Sequence, residues 1–268
     1  MAFSKMNTQQ AGGGRRTMAG KQTQRVDKIL SHMGVATRSE IKKLVKYGRV
    51  TVDGKVIKDS GMQVNPDTNL IEVDGERILY REFIYIMLHK PAGVVSATED
   101  TKDKTVIDLL PAEYRALEPF PVGRLDKDTE GLLLLTNDGA LSHELLSPRK
   151  HVPKTYEAKV VGVINEIHQQ QFEAGVELDD GYMTKPAKLE ITRTYEENEQ
   201  SFTQISLTIV EGKFHQVKRM FEAVGSKVLY LKRVQMGTLQ LDEALPKGRF
   251  RELSEEELHA LQTIHNTK

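Results

Sequence analysis

The sequence predicts an α+β protein in two parts, a small basic module followed by a larger, strand-rich domain. Three observations predict this organisation. The charges divide along the chain: 13 Lys and Arg face three acids through Lys58, whereas the remaining 210 residues carry 25 Lys and Arg against 35 acids. In the second part, apolar strand-like runs separated by turn residues outnumber helical patterns. The chain has 268 residues, of which 38% are hydrophobic, enough for one or two packed domains.

The basic module should begin with two helices. Apolar residues at i, i+3, i+4 and i+7 from Val26 to Met33 predict the first, with Gly34 as its C-cap. Thr37-Arg38-Ser39-Glu40 has the form of a capping box, so the second helix should begin there and end at Gly48. Two β-hairpins should follow, with turns at Asp53-Gly54 and Asp74-Gly75.

One face of the second helix is a strip of positive charge. Its members are Arg38, Lys42, Lys43 and Lys46, with Arg49 just beyond the last turn. A solvated surface is the ordinary interpretation of such a face. Almost no acid is interleaved here, however, which favours phosphate binding, and the scarcity of aromatic residues favours backbone and shape contacts to folded RNA. Residues 25–70 resemble the S4 RNA-binding module.

The larger part should be built on a mixed, mainly antiparallel sheet with flanking helices. Its strand-like runs end at turn signals such as Asn137-Asp138-Gly139 and Glu211-Gly212. The predicted strands are Phe83 to Leu88, Leu132 to Leu135 and Ser201 to Val210, and the predicted helices are Ala140 to Leu146, Ile164 to Ala174 and Phe214 to Val224.

The densest polar cluster is Gly123 to Gly131, which has three interpretations. A calcium loop would need a bidentate Glu at its twelfth position, where this chain has Asn137. Asp126 and Asp128 could be a carboxylate pair for glycosidic chemistry, since positions i and i+2 share a face of an extended segment. They could also be plain loop carboxylates between two strands.

The wording of several segments favours a particular enzyme family. "PVGRLDKDTEGLLLLTNDG" resembles the signature of RNA pseudouridine synthases of the RsuA branch, which carry an S4-like module ahead of the catalytic domain. "LHKPAGVVSA", "KTYEAKV", "EGKFHQVKRMF" and the segment from Gly237 to Leu253 resemble further family motifs, in the expected order. The expected domains are a disordered tail or added leader (1–24), the S4-like domain with its linker (25–82), the catalytic domain (83–258) and a C-terminal tail (259–268).

The resemblance implies isomerisation of uridine to pseudouridine in RNA, without cofactor or metal. Asp126 is implied as the catalytic carboxylate and Lys218 as the cation that keeps it ionised, at a position where many relatives carry Arg. Tyr156 is implied as the aromatic residue that stacks on the target base. Because the uridine must leave the RNA stack to react, we expect Arg124 to fill the space it vacates.

Other polar residues are expected to contact RNA. His215 invites a general-base interpretation, but we favour a structural or RNA-contacting role, and the eight histidines show no metal-ligand spacing. The cations expected to line the RNA groove are Lys90, Lys154, Arg219, Lys232 and Arg233.

The segment "EGKFHQVKRMF" resembles the small-subunit branch of the family more than the large-subunit branch. The expected substrate is therefore 16S small-subunit ribosomal RNA, free or in a pre-ribosomal particle. The alternatives are a large-subunit ribosomal RNA pseudouridine synthase, a noncatalytic RNA-binding ribosome assembly factor and a glycoside or nucleoside hydrolase. The chain lacks cysteine, which excludes disulfide scaffolds, thiolate zinc sites and thiol nucleophiles. It also lacks an apolar run long enough to span a bilayer. We therefore expect a monomeric cytoplasmic protein with no membrane partner.

Overall fold

The computed structural model of the chain describes residues 23–263, which form two compact units. The small unit runs to Ile84 and also takes in Leu110–Pro119, and the large unit comprises Tyr85–Leu109 and the chain from Phe120 onward. The domain division expected at residue 82 therefore differs in one respect, because Leu110–Pro119 returns to the small unit. Residues 1–22 of the tail expected at 1–24 lie outside the described residues.

From residue 23 onward, the small unit contains three helices and six short strands. In chain order they are β1 (Gln24–Arg25), α1 (Val26–His32), α2 (Arg38–Lys46), β2 (Val50–Val52), β3 (Lys55–Val56), β4 (Gln63–Val64), β5 (Ile71–Val73), β6 (Glu76–Arg77) and α3 (Ala112–Arg115). Four strands form an antiparallel sheet of order β3-β2-β5-β6, and β1 pairs with β4. The apolar residues of α1 and α2 form one buried core with those of this sheet.

The local signals in this unit are confirmed. The Thr37 hydroxyl accepts a hydrogen bond from the Glu40 amide, and the Glu40 carboxylate accepts one from the Thr37 amide, so the capping box is complete. Asp53 and Gly54 both have positive φ, 50° and 74°, as a type I′ hairpin turn requires.

The large unit is built on one nine-stranded sheet. Its elements are β7 (Tyr85–Lys90), β8 (Phe120–Pro121), β9 (Glu130–Thr136), α4 (Gly139–Leu146), β10 (Lys154–Val161), α5 (Glu166–Ala174), β11 (Lys188–Glu197), β12 (Gln200–Ile209), α6 (Gln216–Ala223), β13 (Val228–Met236), β14 (Leu239–Gln240), β15 (Phe250–Glu252) and α7 (Glu255–Thr263). The strand order is β11-β12-β10-β13-β9-β7-β15, with β14 paired to β13 and β8 to β9. Strands β9 and β13 are parallel and the other described pairs are antiparallel, which confirms the expected mixed, mainly antiparallel sheet.

The parallel pairing of β9 and β13 brings the segments that precede these two strands to the same end of the sheet. Its register joins Glu130 to Lys232 and Gly131 to Arg233. Gly131 has φ 106°, and a Cβ atom there would lie 2.1 Å from the carbonyl oxygen of Arg233, so this crossing requires glycine. Because the strands are parallel, the loop before β9 and helix α6 before β13 reach the same edge.

The centre of the sheet is buried along its whole length. Every residue of β7 and β9 is buried, as in a strand covered on both faces, whereas β10 alternates between buried and more exposed positions. Helix α7 runs to Thr263 with Leu261 buried, so part of the segment expected as a C-terminal tail is a packed helix. Within residues 23–263, no helix is long and apolar enough to cross a membrane.

Candidate active site

Asp126 lies in the loop between β8 and β9. The loop contains a tight turn, in which the Thr129 amide donates to the Asp126 carbonyl oxygen at 3.1 Å, rather than the extended segment expected from the sequence. The Asp126 side chain is 26% exposed. Its carboxylate is therefore partly desolvated but open to a ligand.

A buried ammonium group holds this loop from below. The Nζ atom of Lys90 donates to the carbonyl oxygens of Asp126, Lys127 and Thr129 at 3.0, 3.3 and 2.8 Å, and to that of Pro91 at 3.1 Å. The Lys90 side chain has no exposed surface. Burial lowers its pKa to about 8, although nearby carboxylates oppose this shift. The prediction that Lys90 contacts RNA is therefore wrong, because its ammonium group is buried and donates to backbone carbonyl oxygens.

Two further contacts fix the same loop. The Ser96 hydroxyl donates to the Leu125 carbonyl oxygen at 2.9 Å and accepts from the Leu125 amide at 3.1 Å. The Gly93 amide donates to the Lys127 carbonyl oxygen at 2.7 Å. Sequence reasoning missed the role of Ser96, although it lies in the "LHKPAGVVSA" segment. The backbone on both sides of Asp126 is thus held by groups from the segment after β7.

Helix α6 brings Lys218 to the carboxylates. Its Nζ atom lies 3.0 Å from Asp126 Oδ2 and 2.6 Å from Asp128 Oδ1, so the predicted contact with Asp126 is present and is shared with a second acid. Burial alone would lower the pKa of Lys218, but the hydrogen bonds to both carboxylates raise it above its ordinary value. The hydrogen bond from Lys218 lowers the pKa of Asp128. Lys218 and Asp128 are therefore both charged at neutral pH.

His215 lies near the other oxygen of the Asp126 carboxylate. Its Nε2 atom is 3.6 Å from Asp126 Oδ1, and its backbone is left-handed, with φ 48°. The Phe214 ring stacks on the His215 ring with centroids 3.8 Å apart. The helix predicted to begin at Phe214 begins later: α6 starts at Gln216, and Phe214 is 73% exposed.

These side chains surround an open cleft of about 460 Å³. It is lined by Ala92, Gly93, Asp126, Lys127, Asp128, His215 and Lys218. Among residues 23–263, no cluster of three or more His, Cys, Asp and Glu side chains has the arrangement of a metal site. The cleft therefore offers an anchored carboxylate beside a lysine, which suits the stabilisation of positive charge that develops on a substrate.

Tyr156 lies on β10, two strands away from the Asp126 loop. It is in register with Arg233, which pairs in turn with Gly131, so the three positions form a line across the sheet. Tyr156 is 8% exposed and is not one of the residues that line the cleft.

The other cations predicted to contact RNA differ in their availability. Arg124 is exposed in the loop before Asp126, and Lys232 is half-buried. Lys154 is half-buried and donates to the Val152 carbonyl oxygen at 3.0 Å, and burial, with a contribution from Arg233, lowers its pKa to about 8.

The prediction for Arg233 is wrong because the residue is buried, and Arg219 already has two carboxylate partners. Arg219 pairs with Asp179 and, at 2.8 Å, with Asp180, so its charge is already offset. Arg233 is 2% exposed and donates to the Leu132 carbonyl oxygen at 2.9 Å. The Arg233 guanidinium is therefore out of reach of an RNA phosphate.

In the small unit, the four cations of helix α2 are exposed as predicted, and these residues, Arg38, Lys42, Lys43 and Lys46, are called the α2 strip below. Lys42 and Lys46 line a surface depression of about 480 Å³ together with Lys58 and Ser60. Arg49 departs from the prediction, because its Nε donates to Asp74 at 2.6 Å. A carboxylate thus offsets the charge of Arg49.

Comparison with known proteins shows the family to which the chain belongs. Residues 84–223 match the family model described as RNA pseudouridylate synthase, and residues 24–70 match the S4 domain model. The chain is 55% identical over 237 residues to the uncharacterized RNA pseudouridine synthase YtzG of Bacillus subtilis, with 88% of this chain and 98% of the relative covered.

Two further relatives carry names for different ribosomal subunits. The ribosomal small subunit pseudouridine synthase A of Vibrio cholerae is 42% identical, with 88% and 99% of the two chains covered. The ribosomal large subunit pseudouridine synthase B of Bacillus subtilis is 39% identical, with 90% and 96% covered. A crystal structure of a pseudouridylate synthase superposes with a TM-score of 0.61 at 35% identity, covering 89% and 99%. The chain is therefore a member of the RsuA family of RNA pseudouridine synthases, with an S4 domain at its N-terminal side.

Proposed function

We propose that the protein isomerises a specific uridine to pseudouridine in 16S small-subunit ribosomal RNA, with Asp126 as its catalytic carboxylate. The observation that carries this assignment is the position of Asp126 at the cleft, in contact with the Lys218 ammonium group and held by an anchored loop. The proposal takes the enzyme to act as a monomer in the cytoplasm on free RNA or a pre-ribosomal particle.

The reaction breaks the bond between N1 of uracil and C1′ of ribose and forms a bond between C5 and C1′. The hydrogen at C5 leaves as a proton and N1 takes up a proton, so no oxidant or reductant is needed. Positive charge develops at C1′ as the first bond breaks, and an ionised carboxylate can stabilise that charge or form a covalent intermediate. Lys218 supports this role because its positive charge favours the ionised form of Asp126 in a partly buried position.

RNA binding is divided between the two units in this proposal. The α2 strip supplies sequence-independent attraction to phosphates. At the large unit, the target uridine leaves the helical stack to reach Asp126, Tyr156 packs against its base, and Arg124 occupies the space the base vacates. The exposure of Arg124 and the sheet register that aligns Tyr156 with Gly131 support these roles.

The large-subunit ribosomal RNA is the second candidate substrate. One named relative acts on each subunit, and the two are nearly equally similar to this chain, at 42% and 39% identity. We place the small subunit first because the "EGKFHQVKRMF" segment resembles the small-subunit branch of the family more than the large-subunit branch.

An isotope-release assay tests both the reaction and the substrate. Unmodified 16S and 23S transcripts, each labelled with tritium at uracil C5, are incubated with the protein, and tritium in water is counted. The proposal predicts release from 16S RNA with the chain intact, little release after Asp126→Asn, and nearly unchanged RNA affinity in that variant. Glu190→Gln, at an exposed position on β11, is the matched control and should retain full activity. Release by Asp126→Asn at the parent rate would overturn the site assignment.

A further inference from the structure

Phe214 is an exposed aromatic ring beside the cleft. Its neighbour His215 lines the cleft and lies 3.6 Å from Asp126, and the two rings are stacked at 3.8 Å with an interplanar angle of 20°. His215 covers one face of the Phe214 ring, and much of the ring remains open to solvent because Phe214 is 73% exposed. Burial of a Phe side chain normally stabilises a protein, and this position gains little of that stabilisation.

The backbone that presents the two rings is strained and firmly held. His215 adopts φ 48° and ψ 30°, a left-handed conformation that disfavours residues other than glycine. Buried Gln216 accepts from the Lys213 amide at 2.8 Å and donates to buried Glu211 at 2.7 Å. Glu211 also accepts from the Tyr182 hydroxyl at 2.8 Å. Strain that buried groups maintain at a cleft indicates a functional geometry.

The surroundings of Phe214 select the chemistry of its partner. Both lysines that line the cleft are paired with carboxylates, Lys218 with Asp126 and Asp128 and Lys127 with Asp103, so the open surface of Phe214 offers apolar stacking rather than charge. Such a ring is suited to a flat, electron-rich partner ring. Nucleobases stack on aromatic side chains in this way without requiring a particular sequence. A base would continue the existing stack of His215 and Phe214 outward from Asp126.

From this geometry we infer that Phe214 is a stacking platform for a nucleobase that flanks the target uridine. The inference rests on the proposed function, because it places that uridine at Asp126. Phe214 acts in RNA binding and in positioning the target, whereas Asp126 acts in the chemistry. The stacked flanking base keeps the strand from closing over the nucleotide that has entered the cleft.

The absence of tryptophan from the chain provides a direct test. Phe214→Trp introduces a single tryptophan at the proposed platform. Ile167→Trp introduces one at an exposed position of α5 that does not line the cleft. Titration with unmodified 16S and 23S transcripts should quench and shift the tryptophan emission of the Phe214→Trp variant but leave that of the Ile167→Trp variant nearly unchanged. Unaffected emission from Phe214→Trp at RNA concentrations that saturate the protein would overturn the inference and would point to a protein partner or a second copy of the chain at this face.

Kinetics separate stacking from a merely structural role. Phe214→Leu keeps an apolar side chain but removes the ring, so KM for tritium release should rise roughly tenfold, the effect of losing one base–aromatic stack, with kcat changed much less. Phe214→Tyr should restore KM. Equal losses in Leu and Tyr variants, or a loss in kcat alone, would contradict the inference.

The two experiments distinguish this inference from the proposed function. If the parent protein releases tritium while Phe214→Leu keeps its KM and the emission of Phe214→Trp does not respond to RNA, the function stands and the platform does not. If the parent protein releases no tritium from either RNA, free or in pre-ribosomal particles, the proposed function fails, and quenching in the Phe214→Trp variant then decides whether this position contacts RNA at all.

Discussion

At the scale of single residues, the Lys218 ammonium group lies between the carboxylates of Asp126 and Asp128. Lys218→Met leaves both carboxylates without their cation, so kcat for tritium release should fall about 10- to 100-fold, as for the loss of one charge-assisted hydrogen bond. Lys218→Arg keeps the positive charge and can bridge two oxygens, so it should recover most of the rate.

Lys188→Met is the control for this comparison, because Lys188 is an exposed lysine paired with Glu190 on β11. Its kcat should equal that of the parent protein. If Lys218→Met retained the parent kcat, Asp126 would not depend on this cation, and the electrostatic explanation of the site would be wrong.

We expect Lys90 to make the loop around Asp126 sensitive to pH. Its ammonium group holds three carbonyl oxygens of the loop, and burial lowers its pKa to about 8. Activity should therefore decline above pH 8 as the group loses a proton and its hydrogen bonds weaken. Lys154 has a similarly lowered pKa, so Lys154→Gln is the control. The alkaline decline should persist in Lys154→Gln; its disappearance there would assign the titration to Lys154.

The free energy of unfolding should change in the opposite direction over the same pH range. Between pH 8 and the ordinary lysine pKa of about 10.4, the unfolded chain binds more protons at this position than the folded chain does. The contribution of Lys90 to the free energy of unfolding therefore rises with pH while activity falls. Urea unfolding at about pH 7.5 and about pH 9.5, on either side of the lowered pKa, compared between the parent protein and Lys90→Met, measures this contribution. An equal pH dependence in both proteins would contradict it.

Single residues were also where sequence reasoning was least reliable. Lys90, Arg219 and Arg233 look alike in the sequence as cations near motifs, but their partners are backbone carbonyls or carboxylates from other segments. The Arg219 partners, Asp179 and Asp180, lie about 40 residues away in the chain. Whether a cation is free or already paired depends on such tertiary contacts, which no local pattern reveals. Asp126 and Lys218 could be proposed together because the resemblance to the family named them both.

At the scale of elements, the crossing of β9 and β13 depends on Gly131. Gly131→Ala places a Cβ atom against the Arg233 carbonyl oxygen at a positive φ, so the free energy of unfolding should fall by about 2–4 kcal/mol. Urea denaturation measures this change. Gly139→Ala, at the first residue of α4 with no atom near the new Cβ, is the control and should be neutral or slightly stabilising. Similar effects at both positions would mean that the crossing tolerates a side chain.

Elements with local signals were predictable, and those governed by distant contacts were less so. The capping box at Thr37 and the Asp53-Gly54 turn involve only neighbours in the chain, and both are present as predicted. The start of α6 was placed two residues early, because the Phe214 position fits a helical stripe. The hydrogen bonds of Glu211, Lys213 and Gln216 instead hold a turn before the helix.

At the scale of the whole molecule, the positive charge of the small unit should control RNA affinity. Replacing Lys42, Lys43 and Lys46 by Gln removes three exposed charges, so the slope of log K against log salt should become shallower by about two to three. Binding of 16S transcripts at several salt concentrations measures the slope. Arg49→Gln is the control, because Asp74 already offsets that charge, and it should change the slope by much less than one. An unchanged slope in the triple variant would exclude the α2 strip as the main phosphate contact.

The order of the parts was predictable from charge and motifs, whereas their exact membership was not. A change in net charge near Lys58 separates the two parts in the sequence. The return of Leu110–Pro119 to the small unit carries no comparable compositional signal, because it depends on packing between segments far apart in the chain.

If Asp126 and Lys218 act together, activity requires correct pairing of β9 with β13. Asp126 lies in the loop before β9, and Lys218 lies in α6 before β13. Beside the site, these two strands pair through Glu130–Lys232 and Gly131–Arg233. A polypeptide divided between these two strands, for example at the exposed Asn198-Glu199 tip, would yield two fragments, each with half of the ion pair. Neither fragment could turn over substrate alone, and recovered turnover on mixing would reveal that the fragments had rejoined.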